Sequence, residues 1–376
     1  MQAVVCYKDL VVGLVEASNE GKVPKYTCGV PCNQRFNDQV GEFINKKYFP
    51  RMIDYLVNED SYEVSACTLE TLEEAVKLLG PAFIDRSAVR LMEALNELLL
   101  NKGLCQKGNE GDSDDVDMND LIFGNMTDLL VSMAKVLRNG YAEAYKVIHK
   151  SFKRYLRPKK GLTVVADCSG IIGTTFKYSP LCVQTYAEDF LQPLYDCLEL
   201  NDDVTNLNVA CTIGIFCALG KELLVPHYQK ILQVLKHVFD TGVLEETKDN
   251  AVSAIAKMAY TQPDKMPLSL VVPNIMNALP FKGDLKENKT AVKMIIHFLE
   301  SNAQALNGQE EKAIVVLIDA IVNWNKYSLK EKYVKACGVM LKALGNTNEQ
   351  LKKIIETNAA KLQEKDFAFV VQAMSQ

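Results

Sequence analysis

The sequence has no uninterrupted run of about 18 apolar residues, the length a helix needs to cross a bilayer core. Its longest candidate, Ala313 to Val322, is broken by Asp319. The first residues, Met1-Gln2-Ala3-Val4-Val5-Cys6, carry no basic stretch of the kind that opens a secretory signal. Proline and glycine are sparse, at 12 and 20 in 376 residues, which disfavours a fold of many short strands and turns. Histidine is scarcer still. His149, His227, His237 and His297 are the whole set, and none has a Cys, Asp, Glu or second His at ligand spacing. Gly170-x-x-Gly173 lacks the Lys-Ser/Thr that a phosphate loop requires. Catalysis, a resident metal and a cofactor are therefore not expected. A basic excess is also missing: 42 Lys plus Arg against 47 Asp plus Glu give a net charge of −5, so nucleic acid is not an expected partner.

Cysteine is present but unpaired in pattern. Its 11 residues are odd in number, and Cys67, Cys168, Cys197, Cys211, Cys217 and Cys337 fall inside apolar helical patterns. They read as small buried hydrophobes in a reducing compartment. Cys28 and Cys32 form the one close pair, without the further ligands that zinc needs. Asn125-Met-Thr127 and Asn288-Lys-Thr290 match glycosylation sequons, which a chain in such a compartment would not use. The single tryptophan, Trp324, is expected to pack at a helix end rather than stand as an exposed contact.

Apolar residues make up 48% of the chain and charged residues 24%, enough to bury a core. Length alone suggests two or three domains. The spacing of the apolar residues suggests something else. A template of positions x, x+1, x+4, x+7 and x+8, the buried stripe of a helix, starts at Tyr48, Leu91, Ile148, Phe190, Ile231, Val271 and Ile314. The intervals are 43, 57, 42, 41, 40 and 43, and only His149 departs from apolar character. A second helical set lies between them, with Val64 to Leu79, Met126 to Leu137, Val204 to Leu219, Asp249 to Tyr260, Ala291 to Leu299 and Lys332 to Leu344 as examples. Gly80, Gly140, Gly220 and Gly345 are expected to stop helices of this set.

Two antiparallel helices every 40 residues or so predict an all-α HEAT-repeat solenoid, a right-handed superhelix of about eight pairs spanning 1–376 as one array. The apolar stripe of Ala3 to Ala17 reads as a second helix without its first, so the array is expected to begin in mid-repeat. The shorter, more charged segment 346–376 is expected to cap its C-terminal end. The long interval places an acidic, flexible insertion at 103–120, between two helices of one pair. Glu110, Asp112, Asp114, Asp115, Asp117 and Asp120 are its acids. They form either a solvating loop or a contact for a basic partner. A calcium loop is disfavoured because the Gly and terminal Glu are not at the required spacing. A basic cluster follows at Lys150, Lys153, Arg154, Arg157, Lys159 and Lys160, on the helix that starts near Tyr141. It reads as a solvated helix end or a site for phosphate or an acidic partner.

Three stretches resemble a known family. Tyr186-Ala187-Glu188-Asp189-Phe190-Leu191-Gln192-Pro193-Leu194 is one, and Asp249 to Met258 with Pro273, Leu279-Pro280-Phe281 and Asp284 is the second. Glu300-Ser301-Asn302 is the third. Together they resemble the C-terminal part of the karyopherin-β (importin-β) family, most closely its importin 5 (karyopherin β3) group. The likeness is strongest over 164–302 and looser back to Val40. It departs at Thr205-Asn206-Leu207, where the family often carries Arg, which places a polar ladder through that position in question. The resemblance implies a monomeric nuclear import receptor shuttling between cytoplasm and nucleus. Its implied partners are basic cargo such as histones or ribosomal proteins, Phe-Gly nucleoporins, and Ran GTPase, whose principal site lies in the family's N-terminal repeats. The alternative is a cytosolic HEAT scaffold holding a kinase or phosphatase complex.

Overall fold

The computed structural model describes residues 1–22, 26–28, 37–107 and 113–375, apart from the side chains of 113–118. Among the described residues the regular structure is entirely helical. The chain divides into two compact units, Met1–Leu200 and Asn201–Gln376.

In the first unit the helices are α1 (Gln2–Ser18), α2 (Asp38–Phe43), α3 (Phe49–Val57), α4 (Tyr62–Leu79), α5 (Pro81–Ile84), α6 (Ala88–Leu99), α7 (Ser113–Leu137), α8 (Tyr141–Tyr145), α9 (His149–Tyr155), α10 (Leu162–Phe176) and α11 (Pro180–Cys197). They form two layers. Helices α1, α4, α7 and α10 pack in succession in one, and α3, α6, α8 and α11 in the other. The second template helix is the clearest case of pattern becoming packing: Leu91, Met92, Leu95, Leu98 and Leu99 are all buried. Each such side chain contributes roughly 1.5–3 kcal/mol when removed from water. Helix α4 starts where the Ser61 hydroxyl accepts a hydrogen bond from Val64 N at 3.3 Å. It ends at Gly80, whose φ of +63° is open to glycine and whose absent Cβ leaves room for the Tyr26 ring.

Two template helices differ from the expected single rods. A π-helical turn, Ile44–Tyr48, precedes α3 and carries Tyr48 into the core. Non-helical turns at 146–148 separate α8 from α9, so the helix expected from Tyr141 onward is two short pieces. The glycine stops also differ. Gly140 and Gly220 have negative φ, Gly345 lies inside a helix, and after Gly220 the positive φ falls on Lys221.

The second unit contains α12 (Asp203–Gly220), α13 (Tyr228–Thr241), α14 (Glu245–Thr261), α15 (Leu268–Ala278), α16 (Asn288–Ser301), α17 (Glu310–Val322), α18 (Glu331–Thr347), α19 (Glu349–Ala359) and α20 (Glu364–Ser375). Here α12, α14, α16, α18 and α20 pack in succession. Gly214 of α12 allows close approach to α14, since a Cβ there would lie 3.0 Å from that of Ala254. Of all the template positions in the chain, only Phe239 and Val315 are exposed. Trp324 is half-buried against the core of this unit, as expected of a helix-end residue. Within 346–376, α19 and α20 are helical, and α20 lies against α17 and α18.

One finding departs from the absence of a membrane-length apolar segment. The helical stretch Asp203–Thr241 contains an 18-residue window of mean hydropathy 1.6, half of it buried in the fold. Thr205, Asn206 and Thr212 are uncharged polar residues of its first helix, Asp203–Gly220. All three are buried, as suits a core helix packed on α14.

Candidate functional site

Helix α7 claims much of the segment expected to be a flexible insertion. Leu104–Gln106 forms a 3-10 turn and α7 begins at Ser113. Asp114, Asp115, Asp117 and Asp120 therefore stand in the opening turns of a helix. Glu110 and Asp112 lie outside the described residues. Asp120 is half-buried and lines a cavity of about 140 Å³ together with Asn119, Tyr155 and Lys160. Burial and the neighbouring Asp120 charge raise the Asp167 carboxyl above its ordinary value.

The basic cluster lies on α9 and the 3-10 turn Pro158–Lys160 after it. Lys150, Lys153, Arg154 and Arg157 are exposed and line a cleft of about 370 Å³ with Leu156, Pro158, Pro193 and Asp196. Lys160 Nζ sits 4.9 Å from the Tyr155 ring centre, and Tyr155 stacks on Phe123. His149, the one polar template residue, has a partner that its own helix could not supply. Its Nε2 is 3.1 Å from Asp189 Oδ2 on α11, and its ring stacks on Tyr186 at 4.6 Å. Burial lowers its pKa, and the Asp189 hydrogen bond and charge only partly oppose that. Its Nδ1 is buried without a hydrogen bond.

The second unit holds a network that sequence spacing missed. Asp202 caps α12, accepting from Thr205 N at 2.8 Å. Asp203 accepts from Val243 N at 2.9 Å, Leu244 N at 2.8 Å and Thr247 Oγ1 at 2.9 Å. One turn into α14, Asp249 repeats the arrangement, accepting from Gly283 N at 2.7 Å and Asp284 N at 3.0 Å. A polar ladder therefore exists beside the Thr205-Asn206-Leu207 departure, carried by the aspartate before it. Its two rungs titrate differently. Burial alone would raise Asp203, but the bonds from Val243, Leu244 and Thr247 outweigh it and lower the carboxyl. At Asp249 burial wins and the carboxyl is raised.

Deeper in this unit, Lys257 Nζ donates to Glu287 Oε2 at 2.8 Å, and Ser253 and Thr290 donate to the same oxygen. Burial alone would raise Glu287, yet the Lys257 charge and the bonds from Lys257 and Ser253 hold it at about 2. Burial alone would lower Lys257, and the Glu287 charge reverses that too. Both are charged at neutral pH. The signal in the sequence is Lys257 and Glu287 standing in the starts and bodies of successive inner helices, 30 residues apart. The network ties α14 to the turn that starts α16.

The remaining candidates resolve simply. Cys168, Cys197, Cys217 and Cys337 are buried, Cys67 and Cys211 half-buried, and Cys105 and Cys182 are buried as well. Cys32 lies outside the described residues. Among the described residues no group of His, Cys, Asp and Glu could hold a metal. The Asn288 sequon is closed to modification, because its side chain is buried and bonded to both backbone groups of Phe281 at 2.9 Å. Gly170 and Gly173 lie within α10, not in a loop.

Stacked antiparallel helix pairs, with aspartates near the start of inner helices tied to the following turns, define a HEAT-repeat fold. No family model matches the chain. Over 222 residues, 55% of its length, the chain is 24% identical to a probable importin subunit beta-4 of Schizosaccharomyces pombe, of which it spans 20%. Among solved structures, Kap121p bound to Nup53p matches 89% of the chain with a TM-score of 0.60 at 15% identity, the match covering 29% of that protein. Kap121p bound to RanGTP matches the same share with a TM-score of 0.59 at 15% identity, again covering 29%. The fold is thus the HEAT-repeat fold of karyopherins. The similarities support a relationship with the karyopherin-β (importin-β) proteins, of which the chain spans less than a third.

Proposed function

We propose that this chain is a portion of a karyopherin-β nuclear transport receptor of the importin 5 (karyopherin β3) kind, carrying protein cargo through the nuclear pore in a Ran-dependent cycle. The observation that carries the reading is the fold likeness over 89% of the chain, joined to sequence similarity with an importin over 55% of it. Its partners are then Phe-Gly nucleoporins, Ran, and basic cargo such as histones or ribosomal proteins, and it shuttles between cytoplasm and nucleus. The helix pairs from 1 to 376 belong to one array in this reading, and the chain works as a monomer without enzymatic chemistry. The importin similarity favours it over a kinase or phosphatase scaffold, for which no observation speaks.

The acids Glu110, Asp112, Asp114, Asp115, Asp117 and Asp120 are the surface proposed for basic cargo. Opposite charge steers association, and salt screens it beyond about 8–10 Å. The test is capture on immobilised Phe-Gly repeats and on GTP-loaded Ran, with a basic peptide titrated at low and high salt. Binding to the peptide should fall when the six acids become Asn or Gln, and fall in the parent as salt rises. Unchanged affinity at low salt removes this surface from cargo binding. Stable co-purification of an enzyme subunit, without retention on Phe-Gly repeats, overturns the transport reading itself.

A further inference from the structure

A row of positive charge on the first unit is left without a task by the reading above. Lys150, Lys153 and Arg154 share one face of α9, and Arg157 follows two residues past its end in extended backbone, lining the same cleft. The opposite face of α9 is fixed. Phe152 is buried, Ser151 Oγ donates to Asn96 Oδ1 at 2.6 Å, and Tyr155 Oη donates to the Leu99 carbonyl at 2.8 Å. The far wall of the cleft is tied to α9 as well, since Cys197 Sγ donates to the Leu156 carbonyl at 3.2 Å. The four cations are thus presented on a braced support to a cleft of about 370 Å³, within the range of ligand-sized clefts.

Little neutralises them. Lys153 lies 3.8 Å from Asp189, whose other oxygen is engaged by His149. Asp196, on the cleft wall, is held by the Gln192 amide at 2.6 Å. No ion pair is formed by Lys150, Arg154 or Arg157 among the described residues. Lys153 and Arg154 stand in the last turn of α9, where its dipole favours positive charge, and their attraction for an anion remains.

The shape of the patch selects the anion. From Lys150 to Arg154 helix α9 rises about 6 Å, and Arg157 extends the row by three residues past that, the reach of a short extended segment. Acids of α11 bound it on one side, with Asp196 lining the cleft and Asp189 3.8 Å from Lys153. A long polyanion would have to run over those carboxylates, whereas a short one would not. The cleft also offers apolar surface at Leu156, Pro158 and Pro193, suited to the aliphatic stems of carboxylate side chains. We propose that the face Lys150, Lys153, Arg154 and Arg157, with the cleft it lines, binds a short acidic peptide segment of a partner protein. This surface is separate from the acids proposed for basic cargo and of opposite sign.

The experiment is a fluorescence-anisotropy titration of the full chain with a labelled twelve-residue Glu/Asp peptide at low salt. R154E/R157E should weaken binding by at least about tenfold, the equivalent of one charge-assisted hydrogen bond lost. R154Q/R157Q should weaken it less, with an unchanged circular dichroism spectrum. The control K326E/K330E, which alters two exposed lysines of the second unit, should leave binding as it was. Equal loss in that control, equal affinity for an all-Gln peptide, or tighter binding of a single-stranded oligonucleotide of the same charge would each overturn the proposal.

Discussion

Removing Lys257 should damage the second unit more than removing any lysine on its surface. The reason is the carboxylate it leaves behind. Glu287 is 11% exposed and keeps a pKa of about 2 in place of 4.5. At 1.36 kcal/mol per pKa unit, that difference favours the ionised carboxylate by about 3 kcal/mol. Lys257→Met takes away the charge that most offsets burial, while Ser253 and Thr290 remain as neutral donors. Breaking one side of a buried pair costs about 3–5 kcal/mol, and that loss is expected here. In K257M/E287M the stranded charge is gone, so at least half of the loss should return, limited by the Ser253 and Thr290 hydroxyls that lose their acceptor. The pH dependence has a definite sign. A carboxyl whose folded pKa is depressed stabilises above the unfolded value and ceases to do so as pH falls through the folded one. The stability difference between the parent and E287Q should therefore be full above about pH 5 and shrink from pH 4.5 toward 2. Hydrogen exchange of α14 and α16 amides reads the local stability, and urea denaturation reads the whole. A loss below about 1 kcal/mol in K257M, or strict additivity of the two single changes, would refute the argument.

Gly338→Ala should loosen the C-terminal helix selectively. The new Cβ would stand 2.1 Å from the Ala373 carbonyl oxygen, so α20 must move, at a cost of about 1–3 kcal/mol; faster exchange and proteolysis within 364–375, with α14 unaffected, is the expected result. His149 should make the first unit sensitive to mild acid. Its lowered pKa means that the unfolded chain binds the proton first, so stability falls as pH drops below 6.5. Asp189, Lys150 and Lys153 face it in either state, and H149Q should remove this component of the decline, seen as a flatter pH profile of exchange in α9 and α11.

How much of this was legible depended on the kind of interaction. Leu91 to Leu99 could be read directly because an outer helix that faces water on one side writes its burial as a stripe. Buried polar and small residues were not marked by such a stripe. In α10, Ser169, Gly173 and Thr175 are buried beside Val165, Cys168, Ile171, Ile172 and Phe176. The division of α8 from α9 was likewise invisible, since 145–149 contains neither Pro nor Gly. Long-range polar contacts were beyond spacing altogether. His149 with Asp189 and Lys257 with Glu287 lie 40 and 30 residues apart, and only the stacking of helices brings them together. The acidic segment was read as a loop from its charge, yet acids are also what a helix start favours, and α7 begins among them.

The ties made by Asp203 and Asp249 have a mechanical consequence. Each is a short, directional bond between an inner helix and the turn that enters the next one. Beyond these ties and the Lys257–Glu287 network, apolar packing in the second unit is held by contacts that can slide by fractions of an ångström without breaking. A body built this way bends about the line that keeps its length. In the second unit that line runs through the carboxylates, and flexing would open or close the helix edges away from it. The hydrogen bonds would act as hinge pins, allowing the unit to change its curvature while the spacing of its repeats along the ladder stays fixed.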